Sequence, residues 1–291
     1  MNEPLPPYAS RLSALHRALD EDFRRIVNHL PREADDSVLD VGCGDGYFTG
    51  LLSEKGGSVT GVDNLEAYLV AARSHVKREN VDFIQGDARH LPFGDQSVEV
   101  VWSGHSMQSY PDVPQCLREF RRVLRPGGTL AVLETDNVHS VMLSWPPDLE
   151  LAVRQAEHRE IGDEDSYIGT YFPRFAKRLM EAAGFEQFDA HYIFVHRYGA
   201  ASDSLAEFVR LYLNNLLETT RDHLSDRMKA RLVVLSDPAS EKFLPRQKAF
   251  SFGSLQVLML AKVPLEKGKC EYEDQPNLIR CGRRSPEDPG A

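Results

Sequence analysis

Ser37-Val38-Leu39-Asp40-Val41-Gly42-Cys43-Gly44-Asp45-Gly46-Tyr47 is the stretch on which the reading of this chain turns. The apolar residues Val38, Leu39 and Val41 make a short strand. Glycines at every second position, Gly42, Gly44 and Gly46, make a turn, and a helical pattern opens at Phe48, Leu51 and Leu52. A strand, a glycine turn and a helix in that order form a nucleotide loop. Glycine suits the turn because the backbone there must reach positive φ, and because a ligand approaches the main chain closely where Cβ is missing. Asp40 lies at the end of the strand, placed to accept hydrogen bonds from loop amides.

The spacing is Gly-x-Gly-x-Gly, whereas dinucleotide folds use Gly-x-Gly-x-x-Gly. From Leu39 to Gly46 the chain resembles the class I S-adenosylmethionine-dependent methyltransferases of the small-molecule type. Later matches follow at the family's intervals: Asp63-Asn64, Gly86-Asp87-Ala88, and the turn Leu124-Arg125-Pro126-Gly127-Gly128-Thr129-Leu130. The resemblance covers about Val38 to Gly184 plus one or both final strands. It implies an α/β fold, a doubly wound, mostly parallel seven-stranded Rossmann-like sheet with an antiparallel last strand. The implied cofactor is S-adenosylmethionine.

Ser58 to Val62 reads as the second strand, ending at Asp63. An acidic side chain there faces a ribose, where its carboxylate accepts from both hydroxyls. The alternative is a helix cap for Leu65 to Lys77. The third strand, Val81 to Gln85, leads into Asp87 and Ala88, which the family matches to the adenine-binding acid and a neighbouring backbone amide. Leu91 and Phe93 either sandwich the base or pack as ordinary core. The cofactor set expected is Asp40, Gly42, Gly44, Gly46, Asp63, Asn64, Asp87, Ala88 and Ser103.

Composition bounds the partners. A formal net charge of -10 opposes nucleic acid, whose binding rests on a basic footprint. Cys43, Cys116, Cys270 and Cys281 show no paired spacing for zinc or redox work, so no metal site is expected. No apolar run reaches the length of a membrane span, and Met1 to Tyr8 is polar and proline-rich. A cytoplasmic protein with a small-molecule acceptor and no membrane span is the expectation. Composition does not speak to its oligomeric state.

Three segments are expected: a helix over the cofactor site in 1–36, a core in 37–263, and a disordered tail in 264–291. Leu12, Leu15, Leu19, Phe23, Ile26, Val27 and Leu30 recur at helical spacing from Ser10 to Leu30, and Tyr8 or Arg11 is within reach of a ligand below. Cap insertions are expected at about 135–170 and 200–250. The first departs from the minimal fold from Glu134 onward. The second separates a strand at Phe185 to Arg197 from one at Ser254 to Lys262.

Val98 to Trp102 delivers Ser103-Gly104-His105-Ser106-Met107 to the point where strand order reverses, which is where open α/β sheets bind ligands. The family's nucleic-acid amine methyltransferases carry Asn or Asp, Pro-Pro and an aromatic residue here, and this chain does not. His105 is therefore one candidate base and His139 its rival, with Tyr110 and Trp145 as walls of an acceptor pocket. Methyl transfer is the first functional reading. An NAD-dependent oxidoreductase, or a cofactor-binding protein without catalysis, is the alternative.

Overall fold

The computed structural model describes residues 4–136, 138–161 and 164–265. The elements run α1 (Ala9–Ala18), α2 (Asp20–Asn28), β1 (Val38–Val41), α3 (Tyr47–Ser53), β2 (Val59–Asp63), α4 (Glu66–His75), β3 (Val81–Gln85) and β4 (Val98–Gly104). They continue through α5 (Val113–Val123), β5 (Leu124–Thr135), β6 (Met142–Leu143), α6 (Pro147–Glu160), α7 (Glu164–Thr170) and α8 (Phe172–Ala182). The last are β7 (Glu186–Tyr198), α9 (Asp203–Thr219), α10 (Asp226–Ser236) and β8 (Ser251–Lys262). The proposed tail lies outside the described residues, apart from Pro264 and Leu265.

Every residue of β1 is buried, as a central parallel strand covered on both faces requires. β1 pairs in parallel with β2 on one side and β4 on the other. The sheet order is β3-β2-β1-β4-β5-β8-β6, with β7 also on β8, and β8 runs antiparallel to β5, β6 and β7. Chain order thus reverses between β1 and β4, and their carboxyl ends diverge into the crevice where the glycine loop sits.

The sheet has eight strands rather than seven. The addition is the two-residue β6, which meets Phe252 and Gly253 of β8 just beyond the end of the β5 ladder. The helix expected from Ser10 to Leu30 is two helices, broken at Leu19 (φ −118°, ψ 22°). The restart has a local cause: Asp20, Glu21 and Asp22 fill the first turn of α2, where negative charge meets the positive end of the helix dipole. Asp20 is further fixed by the Tyr47 hydroxyl at 2.9 Å and Arg24 Nε at 2.7 Å.

Two apolar layers flank the sheet. One joins Phe120 and Val123 of α5 and Phe172, Ala176 and Met180 of α8 to Val101, Leu130 and Met259. The other gathers Phe23 of α2, Leu149 and Val153 of α6, and Phe208, Val209 and Leu213 of α9 over Val100, Trp102, Leu133 and Leu258. The inserted helices therefore complete one face of the sheet instead of standing apart from it.

Gly61 of β2 shows how tightly the sheet's site end is packed. A Cβ there would lie 2.6 Å from the Phe83 ring and 3.0 Å from Cys43 Sγ. Gly61→Ala is expected to lower unfolding stability by about 1–3 kcal/mol in urea titration, the usual cost of overpacking. An unchanged midpoint would show that Phe83 shifts freely.

Candidate active site

The three glycines of the loop share left-handed backbone, with φ of +72° at Gly42, +53° at Gly44 and +83° at Gly46, but do different work. A Cβ on Gly42 would strike Ser106 Oγ at 2.6 Å and the Tyr110 hydroxyl at 2.9 Å, so this residue lets β4's loop close over β1. A Cβ on Gly46 would crowd Ala72 and Phe83, so this glycine serves helix packing. Gly44 has nothing nearer than Tyr68 Cε1 at 3.9 Å. It is the glycine whose bare backbone faces open space.

Asp40 does not reach the loop amides or the cleft. Its carboxylate is buried and accepts from Thr49 Oγ1 at 2.6 Å, tying β1 to α3, and burial pushes its pKa up to about 7. Asp63 holds the loop instead. Its Oδ2 accepts from Gly44 N and its Oδ1 from Leu65 N, each at 3.0 Å. The carboxylate lines the cleft while tying the loop to Leu65, the residue before α4, and it caps none of that helix's own N–H groups. Burial raises its pKa and the backbone donors oppose that rise.

Asn64, Asp87 and Ala88 line the same cleft. Both Asp87 oxygens accept from the Arg89 guanidinium, which holds the carboxyl down at about 2. Leu91 and Phe93 pack into the α5 layer and line none of the cavities described below. Ser103 is fully buried, its Oγ 3.0 Å from the Tyr110 hydroxyl, which itself donates to Val41 O at 2.9 Å. Ser103 thus supports Tyr110 from behind, and Tyr110 walls the glycine-loop side of the cleft.

His105 stands at the divergence of β1 and β4 with φ +54°, a left-handed conformation uncommon for a residue with a side chain. Its N–H donates to Leu133 O at 2.8 Å and its Nε2 meets Gln256 Oε1 at 2.9 Å. The ring lies against His16, Phe23 and Phe48, with centroids 5.4 to 5.8 Å apart. Nδ1 is buried with no hydrogen-bond partner among the described residues, and burial lowers the imidazole pKa to about 4. Packing over-determines the strained backbone, as is common at functional sites.

Three cavities meet around Leu12 of α1. One, of about 130 Å³, runs along Gly42, Gly44, Asp63, Asp87 and Tyr110. A second, of about 430 Å³, continues past Gly44 and Tyr68 to Tyr47 and Gly104. The third, of about 270 Å³, lies beneath α1 and α9 and shares Tyr8, Leu12, His105 and Ser109 with the first. Its other walls include Arg11, Leu15, Glu134, Val141, Phe208 and Tyr212.

Two expected site residues lie elsewhere. Trp145 is 4% exposed in the α6–α9 layer and lines none of these cavities, because its apolar ring completes the face of the sheet. His139 is half-exposed beside Asp136, its Nδ1 3.3 Å from Oδ1, and borders none of them either. Glu134 is the residue that reading the sequence passed over. It ends the apolar run of β5 just as Asp63 ends β2, so a signal was there. Its carboxyl accepts from Met107 N at 2.7 Å, is 3% exposed, and is pushed by burial up to about 7.

A glycine loop at the switch point, with acids closing β2 and β5, is the cleft of a nucleotide-binding fold of the doubly wound class. Residues 39–132 match the family model described as a methyltransferase domain. Over 133 residues, 44% of this chain and 48% of its own length, the methyltransferase GfsG of Streptomyces halstedii is 38% identical. A demethylmenaquinone methyltransferase of Listeria welshimeri is 37% identical over 137 residues, 45% of this chain and 58% of that protein. The chain spans about half the length of these relatives. Among solved structures, TM1293 of Thermotoga maritima, a SAM-dependent methyltransferase, superposes with TM-score 0.52 at 17% identity, over 88% of this chain and 97% of that one. Residues 39–132 thus carry a methyltransferase domain, set in the fold that this solved methyltransferase shares, and the cofactor such a domain implies is S-adenosylmethionine. The cleft suits that group: Gly44 opens onto it, and Asp63 and Asp87 bring acceptors to two of its edges.

Glu134 makes stability depend on pH. The folded protein binds this proton more tightly than the unfolded chain, whose glutamate titrates near 4.5. The contribution is therefore fully present below that value and lost as pH rises through about 7. Glu134→Gln is expected to match wild type near pH 5 and to exceed it by about 2–3 kcal/mol at pH 8. Urea unfolding at both pH values is the check, and a stability difference that does not change with pH would contradict the shift.

Proposed function

We propose that the protein transfers a methyl group from S-adenosylmethionine to a small-molecule acceptor held in the cavity beneath α1 and α9. The observation that carries this reading is the junction of that cavity with the glycine-loop cleft, through the shared residues Tyr8, Leu12, His105 and Ser109. One relative is named for demethylmenaquinone, a small molecule, which supports an acceptor of that size class.

When bound, the cofactor supplies a methyl group already activated on a positively charged sulfur. Asp63 and Asn64 would hold the ribose, Asp87 and Ala88 the adenine edge, and the bare backbone at Gly44 would let the ligand seat against the loop. What remains for the chain is to align the acceptor and exclude water, which is catalysis by proximity and orientation.

Methylation of a hydroxyl or an acidic carbon requires the loss of its proton. Glu134 suits that task better than His105, because a base works best when its pKa is near the working pH. The Glu134 carboxyl titrates at about 7 and lines the acceptor cavity, whereas the His105 ring, at about 4, is neutral and weakly basic. His105 then shapes the junction between the cavities.

Isothermal titration is expected to show S-adenosylhomocysteine binding and no competing NAD binding. Asp63→Ala should weaken S-adenosylhomocysteine by about 1.5–3 kcal/mol for each charge-assisted hydrogen bond lost, and unchanged affinity would place the ribose elsewhere. Once an acceptor screen with labelled methyl donor has found a substrate that must be deprotonated, Glu134→Gln should lower turnover about 10²- to 10⁴-fold. The acid limb of the rate profile near pH 7 should vanish with it, while S-adenosylhomocysteine affinity holds. Full turnover with the limb intact would remove Glu134 from the chemistry.

A further inference from the structure

Arg11 of α1 lines the acceptor-side cavity and has no ion pair among the described residues. Its Nε is buried with no hydrogen-bond partner, and burial lowers its pKa. The charged side chains that act on it are counted readily. Glu157 of α6 lies within electrostatic range but is already engaged by Arg154, whose Nη1 is 2.9 Å from its carboxylate. Arg154 also contacts the Tyr212 hydroxyl at 3.3 Å, and that phenol, pushed up to about 12, is neutral. Two guanidinium groups thus face one carboxylate at this wall, leaving one positive charge uncompensated. Glu134 lines the same cavity but is not among the groups that act on Arg11.

The guanidinium is partly buried with its Nε unpartnered, and carboxylates match its geometry with two parallel hydrogen bonds. Leu12, Leu15, Val141 and Phe208 supply an apolar part of the wall, beside the polar Gln108, Ser109, Thr135 and Ser140. We propose that this cavity takes an amphiphilic monoacid, its apolar body among those side chains and its carboxylate on Arg11. One surplus charge suits a monoanion rather than a phosphate dianion, which would also face Glu134. The inference rests on the acceptor-site reading above and narrows the substrate class it names.

The test measures binding to the full chain saturated with S-adenosylhomocysteine. Octanoate and 4-phenylbutyrate are compared with octanamide and 4-phenylbutyramide by calorimetry and thermal shift. At least one acid is expected to bind tenfold or more tightly than its amide, with Arg11→Leu abolishing the preference and Arg11→Lys restoring part of it. S-adenosylhomocysteine affinity should stay within about twofold in both variants. Acids that bind no better than their amides to wild type would overturn the proposal, and that arm needs no variant to fold. The carboxylate could instead be the cofactor's own. Arg11→Leu would then weaken S-adenosylhomocysteine tenfold or more while leaving 5′-methylthioadenosine unchanged, and the acceptor assignment would fall. Failure of wild type to bind S-adenosylhomocysteine at all would instead refute the methyltransferase reading beneath it.

Discussion

Two backbone N–H groups, from Gly44 and Leu65, converge on the single carboxylate of Asp63, and the cleft's shape depends on that convergence. The loop after β1 and the start of α4 would otherwise be independent segments. Held by one buried anion, they keep a fixed distance, and Gly44 presents bare backbone to the space between them. The amides stabilise the charged form and burial opposes it, so the residue combines structural and ligand-facing work in one set of atoms.

The opposite wall is built by non-local contacts. The strained backbone of His105 is held by Gln256 of β8, far along the chain, and by aromatic rings from α1, α2 and α3. α1 contributes Leu12 to all three cavities and lies on α9, so the N-terminal helix and the second insertion act as one roof. Because the apolar layer beneath that roof is continuous with the sheet's own core, the roof is fixed by the same burial that stabilises the fold.

Burial also separates the titratable groups. Asp40 and Glu134 are both raised to about 7, but Asp40 is spent on Thr49 inside the β1–α3 contact, whereas Glu134 borders open space. A shifted pKa therefore marks a position of interest at both residues, and geometry decides which can meet a ligand. The same comparison sets Glu134 apart from His105, whose imidazole is driven the other way by the same desolvation.

The sequence by itself determined the sheet's parallel half and the glycine-loop residues that line the cleft. Glycine spacing dictates backbone that other residues rarely adopt, and an acid at a strand's carboxyl end points into the crevice, so Gly42, Gly44 and Asp63 could be read locally. Only the tertiary structure decided the cavity beneath α1 and α9. Arg11, Glu134, and the pair Phe208 and Tyr212 come from three distant segments, and no periodicity reports which side chains from separate elements share one void. Trp145 and His139 had the right chemistry in the right neighbourhood of the chain. The apolar face of the sheet needed the indole, and solvent and Asp136 took the imidazole. The restart of the first helix at Asp20 turned on the same physics: helical periodicity ran on unbroken through Leu30, while the charges that favour a new helix end were local and the Tyr47 hydroxyl that secures one of them was not.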